Sequence, residues 1–480
     1  MKTQAIKLNN YIEIVSPVLL EKKIKDIFEI TNPDYLQICK RRGLKKSEYP
    51  KGFILSKTKI KGRWTTKKIP EWLFYWNEQD NLLLPREGLF ELKKLYKKND
   101  IKINIIEKRE EFPSVNFTFN GELNKKKGQL KILKWKSKKG ILQSPTGSGK
   151  TVMACWKIAQ IKQPTVIVVD TVELLNQWKE RINQFLLIDD KKIKSKDIGE
   201  IGGGKQIIRP ITVALIQTLK KHPKLLRNYG LLLIDECHVM PTDQFSEVIN
   251  NYHGPYIEGL SATPFRKDGK TIVMHWYLGE TKIIITPEET EKAPCKVKFV
   301  PTDFKTKLSF QKQYSKSLVK LTQDNNRNKL IANTVLENIE FFGIHLILSS
   351  STKHLKMIYD ELPEHIKLIT HFLTGGINKK QREETVFIMG EGKIKLIFAT
   401  IGLLKKGFDE KLLTVLHLVT PVKDKWLLEQ IIGRITRVCS DKEHAIIFDY
   451  FDKNERILRA GAKTRSGIYT KLKITKLEGA

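Results

Sequence analysis

The hydrophobic pattern changes character along this chain. From about residue 113 onward it falls into short, unbroken apolar runs rich in β-branched residues, separated by longer stretches of helical periodicity. A first group holds Val166-Ile167-Val168-Val169, Ile211-Thr212-Val213-Ala214-Leu215 and Leu231-Leu232-Leu233-Ile234. A second holds Ile344-His345-Leu346-Ile347-Leu348, Ile394-Lys395-Leu396-Ile397-Phe398, Val415-Leu416-His417-Leu418-Val419 and Ala445-Ile446-Ile447-Phe448. A strand that is apolar at successive positions is covered on both faces, so each group predicts a parallel sheet flanked by helices. Between them, Thr281 to Thr302 carries Pro287, Pro294 and Pro301 without a helical period, which marks an inter-block boundary.

Residues 1 to about 112 read differently. Their apolar runs are short and broken by turn residues, as in Trp72-Leu73-Phe74-Tyr75-Trp76 and Leu82-Leu83-Leu84-Pro85-Arg86, which suggests small strands. Leu89 to Tyr96 has a helical spacing. The expected architecture is therefore α/β, with two tandem blocks of parallel sheet preceded by a small α+β region. The expected domains are 1–112, 113–292 and 293–480, consistent with a chain of 480 residues that exceeds one ordinary core.

Composition narrows the class. The formal net charge is +33, which points to a polyanionic partner, most naturally nucleic acid. Only 16 of the 86 basic residues are Arg, and so strong a Lys bias also serves solubility. The segment Lys57 to Lys68 is basic around Trp64, and Arg63, Lys67 and Lys68 there are candidate phosphate contacts. For Trp64, Trp72 and Trp76 a small hydrophobic core competes with base stacking. Five scattered cysteines without a C-x-x-C pair support neither a disulfide framework nor a zinc site. No apolar run reaches membrane-spanning length and the N-terminus lacks a cleavage pattern, so the expectation is a cytoplasmic protein with no membrane partner.

Four motifs carry chemistry. Ile141 to Thr151 reads as a buried strand turning through a small glycine-rich loop onto a helix. In such a loop the backbone N–H groups of Ser144, Thr146, Gly147, Ser148 and Gly149 can converge on phosphate. Lys150 would reach the β/γ-phosphates and the Thr151 hydroxyl would ligate Mg²⁺. The loop departs from the common pattern in having Ser144 where a first Gly is usual. Next, the apolar run 231–234 ends on Asp235-Glu236-Cys237-His238. Two carboxylates at a buried strand end are costly without a cation. They are often only a loop entry, but after a phosphate loop they suit Mg²⁺ binding by Asp235 and base catalysis by Glu236. Ser261-Ala262-Thr263 could link those carboxylates to the γ-phosphate. Finally, Gln430, Arg434 and Arg437, spaced i, i+4, i+7, would share one helix face, and paired guanidinium groups suit a transferring phosphoryl group.

In this order the four motifs resemble motifs I, II, III and VI of superfamily 2 helicases, over about residues 113 to 455. Val169 to Trp178 looks like motif Ia, and Ile216-Gln217-Thr218-Leu219 like the nucleic-acid contact that follows it. Leu373-Thr374-Gly375-Gly376 and Ala399-Thr400 through Gly407-Phe408-Asp409 look like a contact loop and motif V. Gln129 falls where the family's adenine-reading Gln lies. The resemblance implies two RecA-like domains with ATP in the cleft between them, Lys150, Thr151, Asp235 and Glu236 coming from the first and Arg434 and Arg437 from the second. It assigns Gly407, Asp409 and Gln430 to the nucleotide, and Thr171, Gln217, Thr218 and Thr400 to the nucleic-acid backbone. The Asp-Glu-Cys-His box and Pro264 to Gly269 are most similar to the XPB-like and phage UvsW-type branch. Leu84-Pro85-Arg86 is similar to the DNA-binding front region of phage members. The function so implied is an ATP- and Mg²⁺-dependent DNA helicase or translocase acting on forked or branched DNA, with recombination or replication proteins as partners. RNA unwinding, or a motor role within a restriction or defence complex, are the alternatives.

Overall fold

A computed structural model describes residues 2–477 apart from 43, 45–46, 48, 52, 61–62, 79, 240–241, 264, 267, 312, 342, 375–383, 386–387, 390, 403–411 and 439–441. By its internal contacts the chain forms two units. The first comprises Met1–Leu123, Gln129–Ser144 and Lys150–Ile284; the second comprises Asn124–Gly128, Pro145–Gly149 and Ile285–Ala480.

The first unit is built on an eight-stranded sheet. Its order is Lys205–Ile207, Gly199–Gly202, Ile211–Leu215, Thr165–Val169, Leu231–Ile234, Tyr256–Ser261, Lys139–Gln143 and Thr281–Ile284. All neighbours are parallel except the outermost pair, 199–202 with 205–207. The three central apolar runs of this block are strands, and Thr165–Val169 and Leu231–Ile234 are buried at every position. That is why their sequences do not alternate. Because the strands run the same way, their carboxyl ends share one edge of the sheet, where ligands of open α/β sheets bind.

The N-terminal region adds a second, five-stranded sheet to the same unit. Its order is Asn77–Glu78, Leu82–Pro85, Tyr11–Ile14, Thr3–Leu8 and Lys102–Glu107, mostly antiparallel. Helices Glu21–Ile27 and Leu89–Lys98 cover it. One apolar core runs from Ile6, Ile12 and Leu92 through Trp276 and Tyr277 to Leu232 and Ile257, so this region is packed onto the larger sheet rather than tethered to it. The basic segment around Trp64 forms a hairpin, Phe53–Ile60 against Arg63–Pro70, whose strand form the broken charge pattern had hidden.

The second unit holds a seven-stranded, wholly parallel sheet. Its order is Thr370–Leu373, Leu396–Thr400, Ile344–Ser349, Leu413–Leu418, Ala445–Asp452, Cys295–Thr302 and Thr475–Lys476. Alternate residues of one strand enter different cores: Leu346 and Leu348 face the core containing Ile431 and Ile447, while Ile347 joins Val335 and Phe448. Double-sided burial again explains the unbroken apolar runs. Ile394 and Lys395 precede their strand rather than open it, and the run 415–419 starts two residues late. Among the described residues no helix is long and apolar enough to cross a membrane.

Candidate functional site

At the carboxyl edge of the first sheet, three strand ends bring the motif residues together. The Lys139–Gln143 strand leads into the loop 144–149, where Gly147 and Gly149 have φ of +83° and +88°, conformations that cost glycine least. Ser144 is buried, and its N–H donates to the Ser261 carbonyl at 2.9 Å, which pins the start of the loop to the neighbouring strand end. Ser148 is also buried; its hydroxyl donates to the Pro145 carbonyl at 2.7 Å and closes the turn. Lys150 and Thr151 then open helix Lys150–Ile161. The Lys150 ammonium donates to the Ser144 carbonyl at 3.3 Å and pairs with Glu236 Oε1 at 3.2 Å.

The acidic pair leaves the Leu231–Ile234 strand abruptly. Glu236 has φ +44°, a strained value for a residue with a side chain. Asp235 is buried, and its two oxygens accept from Trp178 Nε1 at 2.8 Å and from the Glu236 N–H at 2.9 Å. Burial, then the neighbouring Glu236 charge, push the Asp235 carboxyl up to about 6. Burial would push Glu236 up as well, but Lys150 and His238 outweigh it and hold Glu236 below the usual carboxylate range. His238 Nδ1 shares a hydrogen bond with Ser261 Oγ at 2.9 Å and lies 3.4 Å from Glu236 Oε2. The Ser261 hydroxyl also accepts from the Thr263 N–H at 3.0 Å. Motifs II and III are thus joined through one histidine. Trp178 is not singled out as a chemical residue by its sequence; an indole about two turns into the helix Val172–Phe185 gives no sign that its N–H will meet a carboxylate.

Hard oxygen donors, the Asp235 carboxylate and the Thr151 hydroxyl, make up the set expected for Mg²⁺. A buried carboxyl raised toward neutrality is one whose charge a divalent cation would stabilise. The residues present fit the ion.

Thr171, Gln217 and Thr218 follow strands of the same sheet at its carboxyl edge. Thr171 follows the Thr165–Val169 strand and caps helix Val172–Phe185, its hydroxyl accepting from the Leu174 N–H at 3.3 Å. Gln217 is exposed one residue into helix Ile216–Lys221 and donates to Asp170 Oδ1 at 3.0 Å; Thr218 is beside it. Gln129 is buried at the start of the 3₁₀ segment Gln129–Lys134, which packs against helix Lys150–Ile161. Arg63, Lys67 and Lys68 lie on the second strand of the N-terminal hairpin. Arg86, in the segment similar to a DNA-binding front region, is fully buried and donates to the carbonyls of Tyr252 and Gly254 at 3.0 and 2.9 Å. It is a structural rivet, not a surface contact.

Within the second unit, Gln430 and Arg434 lie on helix Lys425–Ile435, but Arg437 does not share their helix face as its spacing predicted. The helix stops at Ile435. Thr436 bonds back to Ile432 through its hydroxyl at 3.0 Å, while its carbonyl accepts from the Ala293 N–H at 2.9 Å, which draws the chain out of the helix. Arg437 instead lies against the loop: a Cβ built on Gly147 would stand 3.6 Å from Arg437 Nε, and one on Gly433 would stand 3.5 Å from Thr146 Cβ. Thr400 ends the Leu396–Thr400 strand. Gly375, Gly376, Gly407, Phe408 and Asp409 lie outside the described residues, as do Pro264 and Lys267.

Residues 99–266 match the family model described as Type III restriction enzyme, res subunit. The chain is 40% identical over 136 residues to the DNA 3'-5' translocase XPB2 of Sulfurisphaera tokodaii, a match covering 28% of this chain and 29% of that protein. It is 26% identical to the ATP-dependent DNA helicase uvsW of Enterobacteria phage T4, over 69% of this chain and 67% of that one. Other viral relatives bear the name putative ATP-dependent RNA helicase. The fold is similar to that of S. cerevisiae Dbp5 bound to RNA and ADP BeF3, with a TM-score of 0.53 at 16% identity, covering 80% of this chain and 92% of that one.

Proposed function

Because this chain is a superfamily 2 helicase-type protein with XPB-like and UvsW-type relatives, we propose that it hydrolyses ATP to move along or separate strands of DNA, preferentially at forks and branches. The observation that carries the reading is the Lys150–Glu236 ion pair beside buried Asp235, at the end of a phosphate-binding loop.

The pair explains how turnover would wait for substrate. While Lys150 holds Glu236, the carboxylate is ionised but a poor base. A triphosphate attracts the ammonium more strongly than one carboxylate does, so binding draws Lys150 away and raises the basicity of Glu236 next to the attacking water. Thr151 and Asp235 would hold Mg²⁺, which supplies charge neutralisation at the phosphates. Ser144, Thr146, Gly147, Ser148 and Gly149 cradle the phosphates. Arg434 and Arg437 stabilise the charge that spreads over the transferring group, and Gln430 with Gly407 and Asp409 completes the nucleotide contacts. Gln129 reads the base. Ser261 and Thr263, joined to Glu236 through His238, relay the γ-phosphate's presence. Thr171, Gln217, Thr218 and Thr400 would follow the nucleic-acid backbone, and Arg63, Lys67 and Lys68 would add phosphate contacts, together largely blind to sequence.

ATP hydrolysis measured with single-stranded, duplex, forked and four-way DNA, and with RNA, tests this. Strongest stimulation by forked or four-way DNA, weakened by salt, is expected. Turnover indifferent to DNA, with no DNA binding at low salt, rejects it. Stronger stimulation by RNA would select the RNA reading, which the names of some viral relatives favour. Stimulated hydrolysis without strand separation would favour a motor subunit of a larger complex, the reading supported by the restriction-subunit family match.

A further inference from the structure

A buried ion pair lies beneath the phosphate loop, and the chemistry above does not use it. Lys157 is seven residues beyond Lys150 in the helix that Lys150 opens, two turns below it on the same face. It is 5% exposed, and Glu258, in the strand that ends at Ser261, is 1% exposed. Lys157 Nζ stands 3.5 Å from Glu258 Oε1. The same ammonium donates to the Trp135 carbonyl at 2.8 Å and the Ser137 carbonyl at 3.4 Å, and it sits 4.8 Å from the centre of the Trp135 ring.

These partners belong to three different pieces of the unit. Trp135 and Ser137 end the segment that begins at Gln129 and runs into the Lys139–Gln143 strand. That segment opens with two turns of 3₁₀ helix, a form too weakly bonded to hold its own shape. Its backbone carbonyls are fixed by a cation from the phosphate-loop helix. That cation is fixed in turn by a carboxylate on a strand whose register places Glu258 opposite Gly140. A core of apolar residues could pack this place at less desolvation cost than a buried pair. What the pair adds is direction, because an ammonium with two carbonyl acceptors and one carboxylate sets where the segment lies.

We propose that Lys157 is a positioning residue for nucleotide recognition, clamping the Gln129-bearing segment at a fixed distance from the phosphate loop so that base and phosphates are read together. This rests on the assignment of Gln129 to the base. Without the clamp the loop still binds phosphates and Glu236 still acts, but Gln129 no longer stands at a defined place. Affinity for ATP and preference for ATP over GTP should fall while the chemical step survives.

The test uses the full chain, with Lys157→Met, the double variant Lys157→Met/Glu258→Gln that leaves no stranded charge, and Gln129→Ala as reference. Binding of slowly hydrolysed ATP and GTP analogues is measured alongside KM and kcat. The double variant is expected to lose about tenfold in ATP affinity, roughly one hydrogen bond to a defined partner. Its ATP-over-GTP preference should match that of Gln129→Ala, with kcat within about twofold of the parent. Unchanged ATP affinity and preference in the double variant would overturn the proposal, as would a preference lost there but intact in Gln129→Ala. A parent chain that binds neither analogue would instead overturn the function proposed above, so the two failures are separable.

Discussion

Both units bury charge inside a parallel α/β sheet, and they do so in opposite ways. In the second unit, Asp449 accepts from Arg465 Nε and Nη2, at 2.8 and 2.6 Å, and from the Tyr469 hydroxyl at 2.8 Å. The carboxylate is fully buried and its charge is matched by the guanidinium that two of these three bonds come from. In the first unit, Asp235 is held by one indole N–H and its neighbour's backbone, its carboxyl is raised to about 6, and the next residue is strained at φ +44°. A closed set of strong partners makes a structural charge. An incompletely compensated one, at a sheet's carboxyl edge and beside a strained backbone, is built to receive something.

The comparison is broken most severely at the first unit's ion pair. Lys150→Ala or Glu236→Gln should cut nucleic-acid-stimulated ATP turnover by about 10³-fold or more, through loss of phosphate stabilisation or of the base. Removing the second unit's Arg465 charge should leave the residual per-molecule turnover largely intact but lower the folded fraction. A steady-state ATPase assay normalised to folded protein distinguishes them. If Glu236→Gln keeps parental turnover, the general-base assignment is wrong.

Arg437→Ala should cost about 10²- to 10³-fold in kcat with a smaller change in KM, as expected of a cation that acts mainly on the transition state. Its position past the helix end makes it the more informative arginine to remove. Arg434→Ala, on the helix itself, should lower kcat in the same direction. Equal, small effects on kcat from both would show that neither serves the phosphoryl group.

Acid separates the units next. His345, His354 and His417 lie buried in the second unit; burial lowers His345 to about 4 and His354 to about 3, and drives His417 well below its ordinary value. His417 is bonded to His345 at 3.3 Å and to the Tyr450 hydroxyl at 3.0 Å, and stacked on Phe448. All three are neutral when folded and free to protonate near 6.5 when unfolded. Their stabilising contribution is therefore complete above about pH 6.5 and is lost as pH falls toward the folded values. For His345 alone the loss by pH 5 is about 2 kcal/mol. Raised carboxyls such as Asp235 have the opposite sign, being penalised as pH rises through about 6. Limited proteolysis at pH 7.5 and pH 5 should show the second unit opening first in acid, an effect reduced in His417→Gln. Preferential opening of the first unit would contradict it.

How much of this could be read in advance follows from the physics of each signal. The buried strands were legible because double-sided burial removes most polar residues from the runs, and Leu231–Ile234 shows that plainly. The phosphate loop was legible because backbone convergence demands glycine at fixed places. Arg437 falls off the predicted face because periodicity cannot register a tertiary hydrogen bond, here Ala293 to Thr436, where the helix ends two residues before it. Arg86 was read with the front region's DNA-binding character although it is a core rivet, since charge alone does not reveal carbonyl partners brought from 166 residues away. Trp178 and Lys157 left no sequence signal for the same reason: their importance lies in what folding sets beside them.

The finest test of the contrast exchanges one hydrogen bond on each side. Trp178→Phe removes the indole donor to Asp235 while keeping an aromatic ring in a buried place, and Tyr469→Phe removes a hydroxyl donor to Asp449. Each deletion costs about 1 to 3 kcal/mol of stability because a buried acceptor loses a partner. Their catalytic effects should diverge. Asp235 without its indole partner is less well oriented and harder to keep ionised, so turnover should fall about tenfold, as for groups that orient metal ligands, and recover partly at higher Mg²⁺. Asp449 keeps its bidentate arginine, so Tyr469→Phe should melt lower with turnover unchanged. Were the two variants to lose stability and activity in parallel, openness at Asp235 would be a feature of packing, and the distinction between receptive and closed charge would not hold for this protein.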